Sequence, residues 1–277
     1  MIIGEPMPSQ YDWRFRFLGF PIRVTWLFWV IAAALGYNIA MGTDRTYQVI
    51  PGTYNPGFAM LLCVWIAATF LSILIHELGH ALAFRKFGIE SQIVLYHMGG
   101  LAIPTAGYIF QRGGMRRRLT HGNQILVSAA GPLLQLASGI AVAGLGLALG
   151  IEAPFVRTAY EWVGWDLNFT GTMFAGAPKN ALIESCIKFY VWISILWPIF
   201  NLLPIYPLDG GHIAQHTIAI FRRTDGLYEA NIIGAVVGFL VAWWFFQTGS
   251  IINAMLIASL AMSNVQAIQQ QQGPRIW

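Results

Sequence analysis

"ILIHELGHALAF", residues 73–84, sets two histidines and a glutamate inside an otherwise apolar stretch. It continues without a break from the eighteen uncharged residues Phe58 to Ile75, and together they are long enough to cross a bilayer core as one helix. An ionisable side chain at the centre of such a helix costs about 2.5–3.5 kcal/mol on insertion scales. Glu77, between His76 and His80, therefore needs a physical reason to be there.

The whole chain is of the same kind. Of its 277 residues 56% are hydrophobic and only 10% charged, and the mean hydropathy is +0.58. A soluble domain would carry charge on about a quarter of its residues, so the composition implies an integral membrane protein. The expectation is a single integral-membrane domain over residues 1–277, with a catalytic core at about 58–216. A pI near 9.2 does not point to nucleic acid, because the arginines flank apolar runs, where orientation accounts for them. Cys63 and Cys186 lie in apolar stretches and are expected to pack there without a disulfide. No cleavable signal and no appended sensory module are expected.

The fold class expected is all-α and multi-pass, with about six transmembrane helices. These run from about Ile22 to Met41, Phe58 to Phe84, Gln124 to Leu149, Ala181 into "NLLPIYPLDGGH" (201–212), and two more between Ala230 and Ala267. The segment 91–110 is too broken by Gly and Pro for a clean spanning helix, and its part 93–104 is expected to be a short interfacial loop or the re-entrant hairpin that the resemblance below implies. Lysine and arginine favour one side by twelve to three. Arg14, Arg16 and Arg23, the 85–121 connection, the 204–229 connection and the tail stand against Arg45, Arg157 and Lys179. Both termini are then cytoplasmic, in a bacterial-type plasma membrane. At about 1.5 Å per residue, His80 lies about 7 Å and His76 about 13 Å above Arg85.

Residues four apart share a helix face, so His76 and His80 can direct ring nitrogens at one ion. Glu77, beside the first of them, reaches a metal-activated water instead of the metal. This is the H-E-x-x-H arrangement of zinc proteases. A catalytic zinc keeps three protein ligands and one open position. Asp209 is the candidate for the third, on a segment loosened by Pro198, Pro204 and Pro207 and turned by Gly210 and Gly211. His212 and His216, also four apart, are the rival ligands; otherwise they are interfacial or support the metal site from behind.

These motifs resemble the site-2 protease family of intramembrane zinc metalloproteases. The resemblance rests on His76-Glu77-Leu78-Gly79-His80 and on Asn201…Pro204…Asp209-Gly210. It extends to "SAAGPLLQ" (128–135) and to Gly99-Gly100, covering about residues 58 to 216. It departs from the family pattern at His97-Met98, where Pro is common, and at Gln135, where Asn is; both departures are expected to bear on the substrate groove. The resemblance implies one Zn2+ per chain on His76, His80 and Asp209, Glu77 as general base, and Asn201 beside the scissile carbonyl or holding unwound backbone. It further implies that Gly99 and Gly100 lie in a substrate-binding hairpin and that the substrate is a single-span membrane protein. Beyond the bilayer no other partner is implied, and the oligomeric state is open.

The aromatic outer loop 154–176 is expected to lie in the headgroup layer or to form a substrate lid. Residues 168–170 match a glycosylation sequon, and "MRRR" (115–118) reads as a headgroup anchor. Two other functions fit parts of the pattern. A metal transporter could use intramembrane His and Asp, but it would commonly show related halves, and none are detectable. A catalytically silent relative would be expected to have lost Glu77 or a ligand. The orientation is checked by single cysteines at positions 3, 114 and 226, which should be shielded from impermeant reagents while one at 158 reacts. The reverse pattern contradicts cytoplasmic termini.

Overall fold

The computed structural model describes residues 6–52, 54–104, 119–149, 151 and 180–272. The basic cluster 115–118, the outer loop 154–176 with its sequon, and the tail arginine lie outside them. The described chain is helical around one small sheet. Its elements are β1 (Trp13–Phe17), β2 (Phe20–Val24), α1 (Trp26–Val49), α2 (Phe58–Lys86), β3 (Ser91–Tyr96), β4 (Gly99–Pro104), α3 (His121–Ala148), α4 (Ala181–Asn201), α5 (Asp209–Arg222), α6 (Leu227–Gln247) and α7 (Ile251–Gln272).

Five of these helices, α1, α2, α3, α4 and α6, are long and apolar enough to cross a membrane. The last, α7, is not among those five; its first half is apolar, while Ser263, Asn264 and the glutamines from 266 onward make its second half polar. It nevertheless runs antiparallel along α6. A Cβ on Gly238 would come 2.8 Å from the Cβ of Ala261, and one on Gly234 would come 2.4 Å from Asn264 Oδ1. Both glycines of that GxxxG pair therefore face a neighbour, which lets the helices approach closely.

The hairpin expected at 91–104 is present, but in a larger sheet. The strands lie in the order β1-β2-β3-β4, with β2 and β3 parallel and the other pairs antiparallel. The strands β1 and β2 correct the expected start of the first span. Ile22 to Val24 pair with Ile93 to Leu95, so the helix starts at Trp26. The turn between them is two residues, Leu18 and Gly19, both at positive φ, the conformation that matches strand twist in a tight hairpin. Arg85 holds this turn from the end of α2, donating to the Leu18 carbonyl at 2.8 Å and lying 3.6 Å over the Phe20 ring. Trp13, Trp29 and Phe70 stack at 5.3–6.2 Å and fix β1 against α1 and α2.

The two cysteines are free and exposed, on outer faces of α2 and α4. Lys188, within α4, pairs with Glu184 one turn earlier, so the charge in that span is matched by its own helix.

The helices α2 and α3 run antiparallel in close contact. A Cβ on Gly79 would stand 2.4 Å from the carbonyl oxygen of Ala130. Backbone cannot yield there, so Gly79→Ala should cost about 1–3 kcal/mol through overpacking, seen as a lower thermal midpoint in detergent. Gly122→Ala is the control, because nothing lies within 4 Å of its added carbon. Equal midpoints for the two variants would contradict this contact.

Candidate metal centre

Helix geometry brings His76 and His80 to one face of α2, and their Nε2 atoms stand 3.1 Å apart. Asp209 enters from the first turn of α5. Its Oδ2 is 3.1 Å from His76 Nε2 and its Oδ1 is 3.4 Å from His80 Nε2. Among the described residues this is the group of three or more such side chains that could hold a metal ion, with its ligand atoms within 4.8 Å of one another.

The outer nitrogens of the two rings decide what the inner ones can do. His80 Nδ1 lies 2.7 Å from the Val127 carbonyl. A carbonyl only accepts, so Nδ1 carries the proton and donates. His76 Nδ1 lies 2.8 Å from Gln135 Oε1, whose amide nitrogen donates to Ser72 Oγ at 2.7 Å. That orientation leaves Oε1 to accept from His76. Ser72 in turn meets Ser194 at 2.8 Å. Both rings thus turn Nε2 toward each other and toward a carboxylate. These three groups can share a cation lying between them, a proton or a metal ion. Two imidazoles and one carboxylate are the three-ligand donor set that suits a catalytic divalent ion.

Three features position these ligands. A Cβ on Gly131 would meet His80 Nε2 at 2.2 Å, so the glycine of "SAAGPLLQ" makes room for the ring. After α4 the chain unwinds through Pro204 and Pro207, and Asn264 of α7 satisfies the exposed backbone. It donates to the Tyr206 carbonyl at 2.6 Å and accepts from the Tyr206 N–H at 3.3 Å. Gly210 and Gly211 then pass directly over the carbonyls of Leu202 and Ile205, which sets the start of α5 and with it Asp209.

Glu77 is buried and points at the sheet. A Cβ on Gly100 would stand 2.5 Å from Glu77 Oε1, and the backbone of Ala102 hydrogen-bonds the carboxylate. Strand β4 therefore runs against the candidate base, with its outer edge unpaired among the described residues. Gly99 has φ +122°, and a side chain there would also strike the Trp197 ring at 2.8 Å. Burial, and then the Glu77 charge, push the neighbouring Tyr96 phenol up to about 12.

The remaining candidates lie nearby in other arrangements. Asn201 donates its amide nitrogen to the Trp197 carbonyl at 3.0 Å, which supports the end of its own helix. His212 is stacked on Tyr206, ring centroids 4.5 Å apart, outside the three-ligand set; burial holds its imidazole below the ordinary value. Gln135, expected to shape the substrate groove, instead orients a metal-site histidine. Ser72 and the Val127 carbonyl were not legible in sequence, since nothing local marks them.

The family model for peptidase family M50 matches residues 64–245. A zinc metalloprotease of Methanocaldococcus jannaschii is 24% identical over 172 residues, 61% of this chain and 38% of that protein. Two others named as zinc metalloproteases are similar. Rip3 of Mycobacterium tuberculosis is 27% identical over 82% of this chain and 48% of its own length. Rip2 of Mycolicibacterium smegmatis is 23% identical over 70% of this chain and 71% of its own. The chain thus spans less than half the length of the first two relatives. A solved structure, the site-2 protease from Methanocaldococcus jannaschii, aligns at 22% identity with a TM-score of 0.48, over 93% of this chain and 95% of that one.

If Gln135 fixes the His76 ring, Gln135→Leu should weaken binding of a divalent ion such as Zn2+ by about 10–100-fold without unfolding the protein. Competition with a chelator measures it. Wild-type affinity in a folded Gln135→Leu protein would contradict this role.

Proposed function

The chain belongs to peptidase family M50, and from that premise we propose that it is an intramembrane zinc metalloprotease. It hydrolyses peptide bonds in or beside the spanning segment of single-span membrane proteins. The observation that carries this reading is the convergence of His76, His80 and Asp209 within one ligand sphere, next to a buried glutamate that is not among them. One zinc per chain is held by those three residues. When bound, it supplies a Lewis acid for the scissile carbonyl and makes water acidic enough to be deprotonated near neutral pH.

The chain's own groups supply the rest. Glu77, with its carboxylate beside the ligand set, takes the proton of the attacking water and returns it to the leaving amide nitrogen. The edge of β4 lies against Glu77, and an unwound substrate segment that pairs with it satisfies backbone groups that lipid cannot. Gly100 keeps that edge within reach of Glu77, because any side chain there would displace the carboxylate. Asn201 is a candidate donor to the developing oxyanion. One N–H of its amide is held by the Trp197 carbonyl at the end of α4, and the second N–H is the one that would donate. The protein is multi-pass in a bacterial-type plasma membrane, with both termini and the mouth of the site toward the cytoplasm.

Glu77→Gln separates this function from its rivals. The amide cannot accept the proton, so cleavage of a single-span substrate should fall by at least about 10²-fold, while zinc content and fold persist and uncut substrate accumulates in complex. A silent scaffold would cut in neither form, and a transporter would change metal flux without proteolysis. Cleavage at the wild-type rate by Glu77→Gln would refute Glu77 as the base.

A further inference from the structure

A second pair of imidazoles lies outside the centre just described. His121 opens α3, directly after the Thr120 cap, whose hydroxyl accepts from the Asn123 N–H at 3.2 Å. His216 lies on α5, seven residues beyond Asp209, or about 10 Å along the helix. Their Nδ1 atoms stand 3.1 Å apart, the same separation as the Nε2 atoms of His76 and His80. We propose that His121 and His216 form a second binding site for a divalent transition-metal ion of the zinc type.

The chemistry fits such an ion. Two imidazoles on one tetrahedral zinc, with Zn–N of about 2.0–2.1 Å, put their nitrogens about 3.3 Å apart. Without an ion, neutral rings at this distance share one N–H···N bond, so the titration below decides between a hydrogen-bonded pair and a bound ion. His121 is exposed, so the ion has access and water can complete its coordination. With two protein ligands instead of three, the site binds more weakly than the first and exchanges freely.

The position gives the site a consequence. Its two ligands sit on the helices that shape the first centre: α5 carries Asp209, and α3 carries Val127 and Gln135. An ion here ties those helices together on the side toward which Lys86 ends α2. His212 stands between the two positions on the same helix. This inference does not depend on whether the first centre cuts peptides.

The test uses the full chain in nanodiscs, dialysed until only the tightly held ion remains, then titrated with Zn2+ against a chromogenic chelator. The wild type should take up one further equivalent, and His121→Ala and His216→Ala should each lose it while keeping the first ion, which reports an intact fold. In the wild type alone, Cu2+ added as the further equivalent should show two nitrogen couplings by electron paramagnetic resonance. No further equivalent, one that survives both substitutions, or a copper signal without the two nitrogens would overturn the proposal.

Discussion

Two imidazole nitrogens 3.1 Å apart, with a carboxylate at 3.1 and 3.4 Å, repel one another unless a proton or a metal ion lies among them. In a helix bundle suited to a membrane, both histidines are buried and the aspartate largely so, and unpaired buried polar groups are expensive. The surrounding structure is arranged to hold that set in place. Val127 accepts from one ring and Gln135 from the other, and Gln135 is itself held by Ser72 and Ser194. Every polar atom in that chain has a partner, so it is rigid. Removal of one link leaves a donor buried without an acceptor, at a cost of about 1–3 kcal/mol.

The close approach of α2 and α3 follows from the same requirement. Val127 and Gln135 reach the histidines only because Gly79 lies against Ala130 and Gly131 against His80. The third ligand poses a different problem. Asp209 comes from a helix start that follows unwound backbone, which is tolerated at membrane depth only where protein satisfies it. Asn264 does so from α7, which explains why a helix with so polar a second half is packed along α6. The sheet brings the last part, the β4 edge, against Glu77, and Arg85 ties the far hairpin of that sheet to the end of α2.

Most of the site was legible because its signals are local. Two histidines at i, i+4 with a glutamate between them carry a large cost in a span, and the Pro and Gly around Asp209 mark a broken helix. The parts that were not legible depend on the third dimension. Gln135 reads as one more polar residue in a span until α3 is laid antiparallel on α2. The strands β1 and β2 are five residues each, and "FPIRV" merges by hydropathy into the helix after it, so the first span was expected four residues early. The hairpin at 91–104 was legible from its Gly and Pro, but its partner strands lie some seventy residues away in sequence. His121 and His216 come together across ninety-five residues, a distance over which no spacing rule operates.

The central claim is that Asp209, and not His212, completes the ligand set with His76 and His80. Zinc content of the purified Asp209→Ala and His212→Ala proteins, dialysed to the same low free zinc, tests it most directly. The account predicts that Asp209→Ala loses its zinc and that His212→Ala keeps one tightly held ion. A zinc-replete Asp209→Ala beside an empty His212→Ala would contradict it and assign the third ligand to the histidine one turn further along α5.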